Sequence, residues 1–359
     1  MAEPRPRVWV SQPLFDDILA RLEAHFEVAR TSEVANHDSA AIAASLRDAD
    51  GALVTLNDRI GAAEITGAGR LRAIANVAVG YDNLDVAALQ ARGIIATNTP
   101  DVLTETTADL GFALMMAAAR RIGEAERWLR GGHWRQWAFT TMLGADVHGS
   151  TLGILGMGRI GQAIARRAIG FGMRTVYHNR NRLPEAVERD CRAGYVSFDE
   201  LLAQADHLLL VLPYAAENHH IVDAAALARM KPGATLVNIA RGGLVDEDAL
   251  ADALAAGRLA AAGLDVFEHE PQINPRLLSL PNVILTPHIG SGSVATRRAM
   301  VAMAVDNLIA ALGFGPDAGR PPNPVVPTEA LSTQAVPIAG VSPTSDASRR
   351  MRSSHRGRR

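Results

Sequence analysis

The sequence has almost no cysteine, no long apolar run and no excess of charge of one sign. Of its 359 residues only Cys191 is a cysteine, which excludes an internal disulfide framework and indicates a reducing compartment. No run of about 18 apolar residues is present, and the first residues lack the apolar core of a signal peptide, so no membrane segment is expected. The formal net charge of −2 gives no sign of nucleic-acid binding. These absences predict a soluble, cytoplasmic protein.

A chain of this length has room for two domains, each with its own core. Its first part alternates short apolar runs with helical patterns, which is typical of a doubly wound parallel sheet. This part contains no glycine pattern of the kind that binds phosphate. The predicted strands are Arg7–Val10, Gly51–Val54, Ala73–Asn76 and 94–97, and the predicted helices are 14–25, 39–46, 62–68 and 86–92.

A glycine-rich turn lies near the middle of the chain. The apolar run 152–155 predicts a buried strand, which ends in Gly156-x-Gly158-x-x-Gly161 and opens into an amphipathic helix at 160–171. Gly156 can make the tight turn, Gly158 lets the backbone approach a pyrophosphate, and Gly161 lets the helix pack closely on its strand. An ordinary βα turn can also be rich in glycine. The strand before it and the helix after it, whose N-terminus offers free N–H groups to phosphate, favour a dinucleotide site.

Further βα repeats surround this turn. One long helix is predicted at 103–130, closed by Gly131 and Gly132. With the strand at 152, the repeats make six parallel strands, a complete dinucleotide-binding domain. The apolar helix 294–312 needs a surface to cover, and we expect it to return to the first domain. The predicted strands after the turn are 175–178, 207–212, 234–239, 261–265 and Val283–Leu285, with helices at Phe198–Gln204 and 246–256.

Asn179, Arg180 and Arg182 stand where the second strand of a dinucleotide-binding domain ends, about 20 residues beyond the glycines. A carboxylate here would bind the ribose 2′-hydroxyl of NAD, but residues 179–182 contain none. Arginine suits the 2′-phosphate of NADP. A solvated basic loop is the alternative interpretation. The pattern favours NADP(H) as the cofactor, with NAD(H) as the second choice.

The fold expected is therefore α/β, with two doubly wound, Rossmann-like parallel-sheet domains. Residues 1–99 and 290–315 would form a discontinuous substrate-binding domain, and residues 100–289 the NADP-binding domain. Residues 316–359 are rich in Pro, Ser, Gly and Arg and have no sustained period, so a disordered tail is expected.

Three polar residues follow later strands on their carboxyl side: Arg241, Glu270 and His288. Each alone has an unremarkable interpretation, as a surface ion pair, a solvated loop acid or a capped loop histidine. Their shared placement, where an open α/β sheet has its ligand crevice, favours one small-molecule site. No metal site is predicted.

These features lie in segments that resemble the D-2-hydroxyacid dehydrogenases, and more narrowly their glyoxylate/hydroxypyruvate and 2-ketogluconate reductase branch. The resemblance runs in the family's order from residue 7 to about residue 312 and leaves out the tail. Ala78 departs from the glycine that relatives often carry, a change expected to be tolerated. The matching segments are the glycine turn, 77–85 (VAVGYDNLD), 98–101 (NTPD), 238–243 (NIARGG), 263–271 (GLDVFEHEP) and 286–290 (TPHIG).

The resemblance implies NADPH-dependent reduction of a small 2-keto acid to the D-2-hydroxy acid, with glyoxylate, hydroxypyruvate and 2-ketogluconate as the candidates. His288 would be the general acid. Glu270 would hold and charge-stabilise its imidazole, and Arg241 would bind the substrate carboxylate and polarise the keto oxygen. N–H groups at Val79 and Gly80 would complete the carboxylate cradle, which places the substrate between the domains.

By the same resemblance, other residues would line the two sites and the chain would form a homodimer through region 104–137. Leu56 and Trp137 are candidates for the substrate wall, although simple packing after the long helix would also explain Trp137. Asp265 would accept a hydrogen bond from the cofactor carboxamide. The cofactor would contact Thr107, Gly156, Gly158, Arg159, Ile160, Gly161, Asn179, Arg180, Arg182, Pro213, Ile239, Asp265 and Gly290.

Three other functions share this fold. An NAD-dependent phosphoglycerate dehydrogenase is disfavoured by residues 179–182 and by the lack of a regulatory domain. A formate dehydrogenase is disfavoured because its hydride donor needs no general acid, whereas His288 and Glu270 are both present. A dinucleotide-sensing corepressor would need no turnover, and the complete set of Arg241, Glu270 and His288 argues against it.

Overall fold

Two sheets of parallel strands organise residues 4–325, the part of the chain that this computed structural model describes. The predicted fold class, two parallel-sheet α/β domains, is confirmed. In both sheets the winding direction reverses at one point, which is where open α/β sheets leave a crevice at the carboxyl ends of their strands.

The smaller sheet has five strands in the order β2-β1-β3-β4-β5. The edge strand β2 was not predicted, because its side chains are only partly buried and show no apolar run. The strands are β1 (Arg7–Val10), β2 (Glu27–Arg30), β3 (Gly51–Val54), β4 (Ala73–Asn76) and β5 (Ile95–Thr97), and the helices between them are α1 (Asp16–Glu23), α2 (Ser39–Arg47), α3 (Ala62–Ile65) and α4 (Val86–Ala91).

The long helix predicted at 103–130 is two helices, so that prediction was wrong. The helix α5 (Thr104–Ala119) is largely buried, whereas α6 (Ile122–Arg130) has no buried residue. Arg121 lies between them with φ of +55°, a left-handed conformation that a continuous right-handed helix cannot contain. The apolar period continues across the break, which is why the sequence pattern alone predicted one helix.

The larger sheet has seven parallel strands, one more than predicted, in the order β8-β7-β6-β9-β10-β11-β12. The additional strand, β8, is a three-residue edge strand. The strands are β6 (Thr151–Leu155), β7 (Arg174–His178), β8 (Ala193–Tyr195), β9 (His207–Leu210), β10 (Thr235–Asn238), β11 (Ala261–Leu264) and β12 (Val283–Leu285), and the helices are α7 (Arg159–Gly170), α8 (Glu185–Cys191), α9 (Phe198–Gln204), α10 (Ala224–Arg229), α11 (Glu247–Ala255) and α12 (Pro275–Ser279).

The last helix, α13 (Val294–Ala311), packs on the smaller sheet, as expected. Val305 and Leu308 share a core with Val8 and Leu53 of β1 and β3. Burying such side chains stabilises each by about 1.5–3 kcal/mol, which accounts for the return of the chain to its first domain.

The predicted disordered tail begins too early. Residues 316–325 are described, and Val325 N donates to the carbonyl of Ala96 in β5, 2.8 Å away. Asn307 of α13 holds Asn323 through its side chain. The rest of the predicted tail, 326–359, lies outside the described residues. Within residues 4–325, no helix has the length and apolar character needed to cross a membrane.

Candidate active site

The glycine turn joins β6 to α7 at the switch point of the larger sheet. Gly156 has φ of +102°, and a Cβ on it would lie 2.6 Å from the backbone nitrogen of Leu212. A Cβ on Gly161 would lie 2.4 Å from the carbonyl oxygen of Gly156, so α7 rests directly on the turn. Gly158 precedes α7, is exposed, and has no atom within 4 Å of its Cβ position. The turn therefore presents the helix N-terminus to open space, the arrangement that binds a pyrophosphate.

The three residues predicted to select the cofactor differ in how free their side chains are to bind a ligand. Asn179 accepts a hydrogen bond from Met157 N at 2.6 Å, so it supports the glycine turn. Arg180 is exposed. Arg182 donates to both carboxylate oxygens of Glu188, at 2.9 and 2.7 Å. An arginine held in this way is less free to bind phosphate than the sequence suggested.

Glu188 was not predicted as part of this region. It is 8% exposed and also accepts from the hydroxyl of Tyr177 at 2.7 Å. The hydrogen bonds from Arg182 and Tyr177 lower its pKa to about 2. Burial and the hydrogen bond to Glu188 raise the pKa of Tyr177 to about 12. No spacing in the sequence indicates this pairing, because Arg182 lies before α8 and reaches Glu188 only through the packing of the helix.

Thr107, Asp265 and Gly290 come together beside the larger sheet. A Cβ on Gly290 would lie 3.3 Å from both Asp265 Oδ2 and Thr107 Cγ2. Asp265 accepts from Thr286 Oγ1 at 2.7 Å and from Ile289 N at 2.8 Å. Burial raises the pKa of Asp265 despite these bonds. The grouping fits a carboxamide-binding corner.

The other predicted cofactor contacts are more scattered. Arg159, the first residue of α7, pairs with Asp101 at 2.7 Å, and both side chains are exposed. Ile160 packs against the core cluster of the larger sheet. Ile239 belongs to that cluster, with its Cδ1 only 2.7 Å from the Cβ position of Gly111 on α5. Pro213 lies in the loop after β9 and accepts from Asn218 through its carbonyl.

Glu270 and His288 form a hydrogen-bonded pair, with His288 Nδ1 2.8 Å from Glu270 Oε2. The other carboxylate oxygen of Glu270 accepts from Phe267 N at 2.9 Å. His288 has φ of +51°, an uncommon conformation that surrounding bonds must hold. Its N–H donates to the carbonyl of Asp265 at 2.8 Å. Both partners, Glu270 for the imidazole and Asp265 for the backbone N–H, lie in the loop after β11, which therefore holds the loop after β12 that carries His288.

Charge interactions keep Glu270 ionised. Burial alone would raise its pKa, but the hydrogen bond and charge of His288, and more weakly the charge of Arg241, lower it below the usual value. Because an ionised carboxylate can only accept hydrogen bonds, Nδ1 of His288 is the donor in this pair. Because Nδ1 is bound to Glu270, Nε2 is the nitrogen left to exchange a proton with a ligand.

The loop that carries Arg241 follows β10 and is locked in place. Asn238, at the end of the strand, donates to the carbonyl of Arg241 at 2.9 Å and accepts from Ala240 N at 3.0 Å. A Cβ on Gly242 would overlap the backbone of Phe267, 1.9 Å away. The Arg241 loop and the turn that carries Glu270 are therefore in direct contact. Asn238 and Gly242 lie in the NIARGG segment but were not assigned a role.

Arg241 reaches across to the first domain. Its Nε lies 3.0 Å from both carboxylate oxygens of Asp82, and its Nη2 lies 2.8 Å from Asp82 Oδ1. A Cβ on Gly80 would lie 2.0 Å from Nη2, so any larger residue here would displace the guanidinium from its present position. Val79 precedes this contact, and its carbonyl accepts from Asn98. The structure thus brings Arg241 and Gly80 together. It also pairs Arg241 with Asp82 of the first domain, which was not predicted.

Leu56 and Trp137 differ in their surroundings. Leu56 is half-buried in the loop after β3. Trp137 is 74% exposed and lies beside Phe139, which is 82% exposed. Within residues 4–325, neither side chain is among those that contact Arg241, Glu270 or His288 by hydrogen bond or ion pair.

One cluster of potential metal ligands is present among the described residues. His219, His220 and Glu268 have ligand atoms within 4.8 Å of one another. The two imidazoles are stacked, with centroids 3.8 Å apart and planes at 23°. Because ring-nitrogen lone pairs lie in the ring plane, stacked rings direct them side by side rather than toward one ion. The cluster is better described as a hydrogen-bonded pair, in which His220 Nε2 lies 2.9 Å from Glu268 Oε1.

Comparison with known proteins gives a consistent result. Residues 112–290 match the family model "D-isomer specific 2-hydroxyacid dehydrogenase, NAD binding domain". A glyoxylate reductase of Thermococcus gammatolerans is 46% identical over 310 residues, covering 85% of this chain and 92% of that protein. A glyoxylate/hydroxypyruvate reductase B of Klebsiella pneumoniae is 46% identical over 310 residues, covering 86% and 95%.

A similar solved structure is the NADPH-dependent glyoxylate/hydroxypyruvate reductase of Sinorhizobium meliloti in complex with NADP and malonate. It is 39% identical, with a TM-score of 0.79, over 89% of this chain and 97% of that chain. Sequence and fold therefore agree over most of the described residues.

Proposed function

Because the chain belongs to the D-isomer specific 2-hydroxyacid dehydrogenases, we propose that it reduces a small 2-keto acid of the glyoxylate or hydroxypyruvate type with NADPH. The observation that carries this proposal is the Glu270–His288 pair beside Arg241, with Nδ1 of His288 2.8 Å from the carboxylate. A proton donor and a carboxylate-binding cation are the two groups that keto-acid reduction requires of a protein. Glyoxylate reductases among the relatives support the substrate class; 2-ketogluconate is a third candidate.

The domain division that we propose follows the sequence prediction. Residues 1–99 and 290–315 bind the substrate with Leu56, Val79 and Gly80, and residues 100–289 bind the cofactor. Packing of α5 on the larger sheet and of α13 on the smaller one supports this division. The crevice between the two domains, where Gly80 and Arg241 meet, is then the reaction site.

Each of the three polar residues has a distinct role in the proposed mechanism. When bound, NADPH would supply the hydride that C2 of the keto acid accepts. Arg241 binds the substrate carboxylate and polarises the keto oxygen. His288 gives the proton at Nε2 to that oxygen, and Glu270 holds the ring and stabilises its charged form. The cofactor would be held by the N-terminus of α7 after Gly158, and by Thr107, Asp265 and Gly290.

NADP(H) is proposed as the preferred cofactor on narrower grounds than the sequence suggested. Residues 179–182 contain no carboxylate to bind a ribose hydroxyl, and Arg180 is exposed at the end of β7. Arg182 contributes less, because Glu188 already occupies it. An Arg180→Ala variant should weaken NADPH binding about tenfold, the usual size of a charge-assisted phosphate contact, and leave NADH binding unchanged. Equal losses for both cofactors would contradict this assignment.

We also propose a homodimer through region 104–137 and the residues that follow it. The aromatic side chains of Trp134, Trp137 and Phe139 and the side chain of Leu143 are each more than half exposed, a grouping typical of an interface. Light scattering coupled to gel filtration should give twice the chain mass. A monomer at micromolar concentration would contradict the proposal.

The decisive experiment measures NADPH and NADH oxidation with glyoxylate, hydroxypyruvate and 2-ketogluconate. Turnover of at least one keto acid, faster with NADPH, is the expected result. If NADPH binds and no keto acid is turned over, the enzyme proposal fails and the corepressor alternative is favoured.

A further inference from the structure

Asp82 lies opposite Arg241 in the crevice, on the loop after β4. The carboxylate occupies the Nε edge of the guanidinium, with three contacts of 3.0, 3.0 and 2.8 Å. Nη1 donates to the carbonyl of Ala240 at 2.7 Å. Of the five N–H groups of an arginine, this leaves one on each Nη nitrogen. Two such donors match the two oxygens of a carboxylate.

The loop that carries Asp82 is anchored by buried asparagines. Asn76 donates to the carbonyl of Gly80 at 3.0 Å and to the side chain of Asn83 at 3.0 Å. Asn83 in turn donates to the carbonyls of Thr55 and Asp58 at 3.1 and 3.0 Å. Asp82 therefore sits between two fixed points, and its position relative to the first domain is set before any ligand binds.

The charge of Asp82 is maintained by its surroundings. Burial would raise its pKa, but the hydrogen bonds and charge of Arg241, with a smaller effect of Arg59, lower it below the usual value. The side chains of Asp82 and Arg241 are 37% and 23% exposed, so solvent screens the pair only in part. An ionised carboxylate at neutral pH holds one edge of Arg241 and cannot hold the other.

We propose that Asp82 is a positioning residue, which fixes the orientation of Arg241 across the crevice so that its Nη end meets the carboxylate of the keto acid. This inference rests on the proposed function, because it takes the substrate carboxylate to be the ligand of Arg241. Asp82 itself touches neither substrate nor cofactor. Without it, the guanidinium would rotate about its long side chain and bind the carboxylate less tightly.

Asp82→Asn is the informative variant, since it keeps the shape of the side chain and removes its charge. We expect KM for the keto acid to rise about tenfold, within the range found for coupled contacts. Because Arg241 also polarises the keto oxygen, kcat should fall as well, but by no more than about threefold, whereas the Kd of NADPH should not change, because the cofactor site is untouched. Asp17→Asn is the matched control: Asp17 also pairs with an arginine, Arg298, and among the described residues neither forms a hydrogen bond or ion pair with Arg241, Glu270 or His288.

Oxalate, a flat analogue of a 2-keto acid, gives a readout that does not require turnover. Calorimetric titration of the enzyme–NADPH complex should show the Kd of oxalate rising about tenfold in Asp82→Asn and unchanged in Asp17→Asn. In an Arg241→Lys background, which lacks the two-edged guanidinium, Asp82→Asn should have no further effect. Thermal melting of each variant establishes that it is folded, and Asp82→Ser replaces Asp82→Asn if the latter does not fold.

The outcomes separate the two proposals. If the wild-type protein reduces keto acids while Asp82→Asn keeps the wild-type KM and oxalate affinity, the positioning role is wrong. It is equally wrong if Asp82→Asn has the same effect with Lys at position 241. If the wild-type protein turns over no keto acid, the proposed function fails, whatever the oxalate titrations show.

Discussion

The loops after β1 and β6 occupy equivalent places in the two domains, and they are filled in opposite ways. After β1, Ser11 Oγ donates to Asp58 at 2.6 Å, and Gln12 exchanges two hydrogen bonds with the backbone of Ala35. Both side chains are buried. After β6, Gly156 makes the turn and Gly158 has open space where a side chain would be. One loop closes the end of its sheet, and the other leaves it free for a ligand.

The same architecture thus supports different chemistry according to a few loop residues. The larger sheet carries Arg241, Glu270 and His288 on the loops after β10, β11 and β12. The smaller sheet offers the backbone at Gly80 and the carboxylate of Asp82. We infer that the proton donor belongs to one domain alone, while the substrate carboxylate is recognised by both.

The largest effect is expected where only one domain acts. Replacing His288 with glutamine removes the proposed proton donor and keeps the size of the side chain, so kcat should fall about 1,000-fold, in the range for a lost general acid. NADPH binding, measured by fluorescence titration, should be unchanged. His148→Gln is the control, since His148 is exposed and outside the crevice. Retained activity in His288→Gln would break the proposed division of roles.

A smaller effect, on the free energy of unfolding, is expected from adding a methyl group at the glycine turn. In Gly161→Ala the new methyl group would meet the carbonyl oxygen of Gly156 at 2.4 Å, and forcing α7 away from the turn should cost about 2–3 kcal/mol. Gly170→Ala is the matched control on the same helix, where no atom lies within 4 Å, and it should be neutral or slightly stabilising. Urea unfolding measures both. Equal stabilities would mean that α7 does not depend on its contact with the turn.

The sequence predicted the central strands well because their side chains are buried on both faces. β1, β3 and β4 were predicted at their observed limits, as runs of apolar residues between turns. The edge strands β2 and β8 were missed, since an edge strand needs no continuous apolar pattern. The break at Arg121 was missed because a single left-handed residue leaves the helical period almost unchanged.

The predicted site is explained by the same reasoning. Arg241, Glu270 and His288 could be grouped because strand ends in a parallel sheet meet along one edge. Asp82 could not, because its partner is 159 positions away in another domain and no periodicity connects them. Glu188 was missed for a related reason: a buried acid on α8 is visible as a charge, but its pairing with Arg182 depends on how α8 packs against β7.

The smallest effects, on stability and on NADPH affinity, are expected from replacing Glu188. They test whether the loop after β7 in the larger sheet selects the cofactor. The pKa of Glu188 is lowered to about 2 from 4.5 by Arg182 and Tyr177. Its ionised form therefore contributes stability that is complete above about pH 4.5 and is lost as the pH falls toward 2. Glu188→Gln should cost about 1 kcal/mol at pH 7. Urea unfolding at pH 7 and pH 3.5 should show this difference shrinking at the lower pH.

The same variant should also release Arg182. With a neutral partner the guanidinium is held less firmly, so NADPH should bind about two- to threefold more tightly, as expected for the loss of a weak competing ion pair, and NADH should not. Glu185→Gln is the control, because Glu185 pairs with Arg189 on the exposed side of α8. A parallel change for NADH would mean that Glu188 acts through the packing of α8. A change for NADPH alone would indicate that Arg182, once released from Glu188, also binds the 2′-phosphate.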